Sequence, residues 1–297
     1  MRKGRIAIDS VFVIVVAITF IYGFRTTIGA NIDNSKPLIM GVFPRQHSTI
    51  TTEIFNPMAK YLSKEIGRRV FVESAPDMKT FWERVQANHY DIVHYNQYHY
   101  IRTHKEQGYE VILVNEERGK STMAASIIVR DDSEIKTIQD LRGKKVLFGG
   151  GKKSMESYIF AKYLLQQGGL QDNDYEAHFA SNSPTAIVAA YHKLWDASAA
   201  GSGDSGLNLP DVEKQIDTKK MRYLAVGSQY AHLPWAVRGE LPSAMKQQIK
   251  RTLLNLNVLP EGKKVLKTAK LTGLVAAVDS DFDPHRKIVK TVLNEAY

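Results

Sequence analysis

The chain has 297 residues, 43% of them hydrophobic and 24% charged, which excludes a disordered tail and fits one large α/β unit or two lobes of ordinary domain size. Its 40 Lys and Arg against 31 Asp and Glu give a formal net charge of +9. That favours anionic partners, while the scatter of basic residues along the chain speaks against nucleic acid. With no cysteine, disulfides, thiolate catalysis, zinc–thiolate sites and a lipid-modified cysteine anchor are excluded.

The first residues, MRKGRIAIDSVFVIVVAITFIYGFRTTIGAN, set Arg2, Lys3 and Arg5 ahead of an apolar run from Val11 to Tyr22, the pattern of an export signal. Extended by Ile6 to Ile8 and onward to Phe24, with Asp9 as a blemish, the run approaches the ~20 residues of a membrane helix. Two alternatives stay open for residues 1–30: a signal peptide cut after Ala30, where Ile28 is a poor residue three positions before the cut, or a retained membrane anchor. Basic residues ahead of the run keep the N-terminus inside and place the rest of the chain outside the cytoplasm.

After a polar linker over residues 31–37, LIMGVF reads as a buried strand closed by Pro44. NPMAKYLSKEIG follows as a helix, with Pro57 suited to its first turn and Gly67 to its stop. RVFVESA is a strand, and MKTFWERVQ a helix that Asp77 caps and whose Met78, Phe81, Trp82 and Val85 share a face. DIVHYN is a third strand, ending in the aromatic cluster HYNQYHY. Strand and helix alternate again through a long strand MAASIIVRDD, a short helix at TIQDLRG, the strand KKVLFGG and the helix SMESYIFAKYLLQQGG. YEAHFA and WDASAAG read as strands around the helix SPTAIVAAYHKL. SGSGDSGLNLP is a Gly/Ser-rich loop, followed by a helix at DVEKQ, strands MRYLAVGS and LPWAVR, and two C-terminal helices from PSAMKQQIKRTLLNLN and PEGKKVLKTAK. This alternation predicts sheets covered by helices, in two lobes: residues 38–127 with 231–297, and residues 128–230. If LPWAVR carries the chain back, the lobes are joined by two strands and can hinge.

The glycine loop FGGGKKSMESY fails both nucleotide fingerprints: Val146 stands where a P-loop needs glycine, and Ser154 where the dinucleotide pattern needs its third. What remains is a helix start with unpaired N–H groups, the Ser154 hydroxyl, glycines that let backbone approach a ligand, and Lys152 or Lys153 for charge, a fit for a small anion. The same residues also suit a serine that caps its own helix beside solvated lysines. HYNQYHY, at a strand's C-terminal end, suits a pocket wall. His94, His99 and His104 are spaced so that neither helix nor strand puts them on one face, which speaks against a metal site. No serine-hydrolase elbow lies between strand and helix, and no nucleophile, base and orienter come together.

From about Leu38 to the C-terminus, the order GVFP, NPMAKYLSKEIGRRVFVESAPDMKTFWERVQANHYDIVHYN, ASIIVRDDSEIKTIQDLRGKKVLFGGG, LPWAVR and DSDFDPHRKI resembles the substrate-binding components of phosphate, phosphite and phosphonate ABC importers. The resemblance implies a two-lobed type II periplasmic binding fold, each lobe a mostly parallel sheet flanked by helices, with two hinge strands and an anion in the cleft. In that family a Ser/Thr-rich loop at a helix start binds the phosphonate oxygens; it falls on Ser154 to Ser157, where Ser154 and Ser157 keep hydroxyls but Met155 and Glu156 do not. A family histidine falls on Asn182 or Ser183, neither of which can be cationic. Family aromatic positions match Tyr95 and Tyr100, and a carboxylate that contacts a ligand amine corresponds to Asp204.

The expectation is therefore a monomeric, extracytoplasmic solute-binding protein without cofactor, metal or catalysis. It would close Ser154, Ser157 and Lys153 on Tyr95, Asn96 and the loop bearing Arg45, and pass a phosphonate-like oxyanion to an inner-membrane ABC permease. The alternative is a membrane-anchored sensor or interaction module of the same fold that binds another small anion without transport.

Overall fold

The computed structural model describes residues 36–44, 47–202 and 205–297. The N-terminal signal or anchor and the candidates Arg45 and Asp204 lie outside the described residues.

The chain opens with β1 (Leu38–Val42), α1 (Ser48–Ile66), β2 (Val70–Ser74), α2 (Met78–Gln86), β3 (Ile92–His94), α3 (Gln97–Gln107) and β4 (Glu110–Glu116). It crosses through the short β5 (Thr122–Met123) into β6 (Ala125–Arg130), β7 (Lys145–Phe148), α4 (Ala161–Gln167), β8 (Glu176–Phe179), α5 (Ser183–Tyr191), β9 (Ala197–Gly201), α6 (Pro210–Glu213) and β10 (Met221–Val226). It returns through β11 (Tyr230–Ala231) to β12 (Pro234–Val237), α7 (Ser243–Asn255), α8 (Pro260–Thr268), β13 (Gly273–Ala276) and α9 (Asp283–Leu293).

Among the described residues the strands form a six-stranded sheet, β13-β4-β12-β3-β1-β2, a five-stranded sheet, β10-β6-β9-β7-β8, and the ribbon β11-β5. Both sheets repeat one plan: β1 pairs in parallel with β2 and β3, as β7 does with β8 and β9, and an antiparallel strand is then added beside β3 and beside β9. Most strands of each sheet run in one direction, with β12 and β13 reversed in the first and β6 in the second; β12 re-enters the first sheet from the second and runs against both β3 and β4. Trp235 locks that strand in place: its ring stacks on His94 at 4.4 Å and its indole N–H donates to Asn115 Oδ1 at 2.8 Å. The apolar core runs without interruption from Val93 and Tyr95 through Ile127 to Val146, Phe148 and Ala199.

Several elements differ from expectation. α1 starts at Ser48, so Pro57 lies inside it rather than in its first turn; a proline there costs one backbone bond, which the burial of Phe55, Met58, Ala59, Tyr61 and Leu62 against the sheet outweighs. The long strand breaks at Ala124 into β5 and β6 as the chain passes from one sheet to the other. The short helix at TIQDLRG is a 3₁₀ turn, Ile138–Leu141. α3 and β4 occupy a stretch to which periodicity assigned no element, and the aromatic cluster HYNQYHY begins on His94, the last residue of β3, and runs through the cap Asn96 into the first turn of α3.

Candidate functional site

The C-terminal ends of the parallel strands carry the site, the place where open α/β sheets bind ligands. After β7 the chain runs through Gly149, Gly150 and Gly151 into a π-helical turn, Met155–Phe160, which continues as α4. Ser154 precedes the turn; its carbonyl accepts from the N–H groups of both Tyr158 (3.2 Å) and Ile159 (3.0 Å). The first N–H groups of such a turn have no acceptor within the helix and point out of its open end.

Ser154 and Ser157 stand together there, Oγ to Oγ 2.7 Å. The glycines permit this packing. A Cβ on Gly150 would come within 2.9 Å of Ser157 Oγ and 3.0 Å of Ser154 Oγ, and one on Gly149 within 2.5 Å of the Ser183 Cα, whereas Gly151 faces open space. Ser183, at the start of α5, is therefore pressed against the same loop, so that two helix N-termini adjoin. Asn182 is committed elsewhere: its Oδ1 caps α5 by accepting from the Thr185 N–H and hydroxyl, each at 2.9 Å. Asn182 and Thr185 face a surface cavity of about 440 Å³ shared with His192, Asp211 and Gln215. The Glu156 carboxylate, which would repel an anion if it faced one, is turned toward Gly201 at the end of β9.

From the first sheet, Asn96 reaches the loop. Its Oδ1 caps α3 by accepting from the His99 N–H at 2.9 Å and accepts from His99 Nδ1 at 2.7 Å, and its Nδ2 donates to the Lys153 carbonyl at 3.2 Å. Burial pushes the His99 imidazole down to about 3, with the positive charges of Lys153 and Arg102 adding to the effect. The ring is therefore neutral, its proton on Nδ1. The exposed Lys153 ammonium supplies positive charge on this side of the loop.

Tyr95 and Tyr100 are not brought to the serines. Both are fully buried; the Tyr95 hydroxyl is paired with Thr103 Oγ1 at 2.8 Å and the Tyr100 hydroxyl donates to Asp279 Oδ1 at 2.6 Å. They are core residues that fix α3 to its neighbours, a correction to their place in the expected pocket wall.

Two buried polar side chains, Gln97 of the HYNQYHY cluster and His285, grip the crossing ribbon. Gln97 Nε2 donates to the Ala231 carbonyl at 3.0 Å, and His285 Nε2 donates to the same oxygen at 3.2 Å. Among the described residues no group of His, Asp and Glu is arranged to hold a metal ion, and none of the helices is long and apolar enough to cross a membrane.

The structure resembles three solved proteins in overall fold. XAC2383 from Xanthomonas citri bound to ATP superposes with a TM-score of 0.72 at 17% identity, covering 86% of this chain and 97% of that one. A binding protein component of an ABC phosphonate transporter from Pseudomonas aeruginosa gives 0.69 at 16% identity over 87% of each chain. PhnD1 from Prochlorococcus marinus in complex with methylphosphonate gives 0.70 at 18% identity, covering 87% of this chain and 98% of that one. These likenesses establish the type II periplasmic binding fold. The family model for the phosphonate periplasmic substrate-binding protein of ABC transporters matches residues 40–282, most of the chain, and so the protein belongs to the phosphonate-binding family of periplasmic ABC-transporter components.

Proposed function

We propose that the protein captures a small oxyanion, phosphonate-like in charge and shape, between the loop Gly149–Ser157 and Asn96, and hands it to an inner-membrane ABC permease as a monomer outside the cytoplasm. The observation that carries this reading is the serine pair at the open end of the π-helical turn, with backbone N–H groups and the Lys153 ammonium beside it. Hydroxyls and N–H groups donate to phosphoryl oxygens, and charge-assisted bonds of this kind are roughly twice as strong as neutral ones. Binding without chemistry is supported by the surroundings of Ser154 and Ser157: each hydroxyl is partnered by the other, and among the described residues no imidazole or carboxylate is bonded to either to act as a base.

The two sheets would act as two lobes, one built mainly from residues 38–127 and 231–297 and the other from 128–230, moving about β5 and β11 as in hinge closure. The N-terminal apolar run would export the chain. A thermal-shift screen tests the binding step. Phosphate, phosphite, methylphosphonate, sulfate, carboxylates and, given the ATP-bound neighbour, nucleotide phosphates are each added in excess; a ligand at 100 times its Kd adds about 2.7 kcal/mol of stability. At least one phosphorus oxyanion raises the midpoint under this reading, and a screen in which none does contradicts it.

A further inference from the structure

We propose that the corner between α7 and α8, with the exposed face of α8, docks on an anionic lipid surface. The proposal does not depend on the ligand site.

α8 is divided cleanly. Val265 and Leu266 are buried against the protein, while Lys263, Lys264, Lys267 and Lys270 are exposed. Lys263 and Lys267, at i and i+4, share one face of the helix, and Lys270 follows just past its C-cap, Ala269. Among the described residues none of these four lysines is in an ion pair, so their charge is uncompensated. Just before the helix, at the corner, Val258 is 70% exposed and Leu259 44% exposed. An apolar tip flanked by unpaired lysines is the composition of a segment that lies at a bilayer surface: the side chains enter the boundary and the ammonium groups meet acidic headgroups.

The exposed Val258 and Leu259 beside the exposed lysines select an anionic membrane as the occupant. The Lys36 carbonyl, where the described chain begins, accepts from Arg68 Nε at 2.9 Å. Arg68 lies just beyond α1, and Lys64, in the last turn of α1, is 3.9 Å from Glu261 in the first turn of α8. Lys36 is thus held at the C-terminal end of α1, and that end of α1 adjoins the first turn of α8. If the N-terminal apolar run is retained in a bilayer, a lipid contact at the α7–α8 corner adds to it as the second of two linked anchors does.

The absence of cysteine makes the test direct. The full chain is labelled with an environment-sensitive fluorophore at Val258→Cys, or at Leu259→Cys as a second position, and reconstituted in phosphatidylcholine vesicles with and without phosphatidylglycerol, each containing a quencher lipid. Leu194→Cys, 63% exposed beyond α5 of the second sheet, is the control. The label at position 258 or 259 is quenched in anionic vesicles, is relieved by high salt, and falls to the level of the position-194 label when K263E, K264E and K267E are combined. The proposal is overturned if neither corner label is quenched by anionic lipid, if neutral lipid quenches equally, or if the triple variant changes nothing. The last two outcomes mean that the tether alone, or a protein partner, accounts for proximity.

Discussion

The side-chain amide of Asn96 donates to the main-chain carbonyl of Lys153 across 3.2 Å, joining the end of β3 in one sheet to the glycine loop that follows β7 in the other. Its other face caps α3 through the His99 N–H. One side chain thus fixes a helix start and spans the two halves of the candidate site, and these roles separate by substitution.

Asn96→Ala removes both, and loss of the cap alone costs about 1 kcal/mol. Asn96→Asp keeps an acceptor for the His99 N–H and loses the donor to Lys153. Thermal melts should show N96A less stable than the parent and N96D largely restored, while small-angle scattering shows both more open. Equal compactness of N96D and the parent would remove Asn96 from the account of closure.

Gly149 and Gly151 differ in what a methyl group would meet. At Gly149 it would lie 2.5 Å from the Ser183 backbone, and at Gly151 it meets nothing within 4 Å. Gly149→Ala is expected to destabilise by about 1–3 kcal/mol as the loop or the start of α5 shifts, with oxyanion affinity reduced. Gly151→Ala should leave the urea midpoint unchanged. Matching midpoints for the two variants would show that the loop does not rest on Ser183 in solution.

His99 and His285 carry the pH dependence. Burial pushes each imidazole down from 6.5 to about 3, so both stay neutral in the folded protein while the unfolded chain takes up protons below pH 6.5. The unfolded state then binds more protons, and stability falls on acidification, starting near pH 6.5 and levelling below about pH 3, at up to about 1.4 kcal/mol per pH unit for each histidine. Urea unfolding between pH 7 and pH 4 measures the slope, and His99→Gln should make it shallower. A slope unchanged in that variant would mean that His99 is solvated or protonated in the native state.

The alternation of strand and helix made the two-sheet fold legible, and the glycines and serines of FGGGKKSMESY made a loop leading into a helix legible. The environment of α3 was not. Tyr98 bonds Glu295 and Tyr100 bonds Asp279, partners near the far end of the sequence, so aromatic hydroxyls that look suited to a pocket wall are consumed by contacts no local pattern reveals. The π-helical turn was hidden for a related reason: Met155, Tyr158 and Ile159 show apolar residues at a spacing that an ordinary helix also satisfies, and the register changes only through the double acceptor at the Ser154 carbonyl. Pro57 misled in the opposite direction, because the preference of proline for a first turn is local and the burial of α1 is tertiary.

The most direct test of the central claim is calorimetric titration of the protein and its Ser154→Ala/Ser157→Ala variant with methylphosphonate, phosphite and phosphate. Hydrogen bonds to a charged group contribute about 1.5–3 kcal/mol each. The account predicts one saturable site for at least one of these anions and a loss of at least about tenfold in affinity in the double variant, with the ligand-free melting temperature little changed. Undiminished affinity in the double variant, or no binding of any phosphorus oxyanion to the parent, would contradict it.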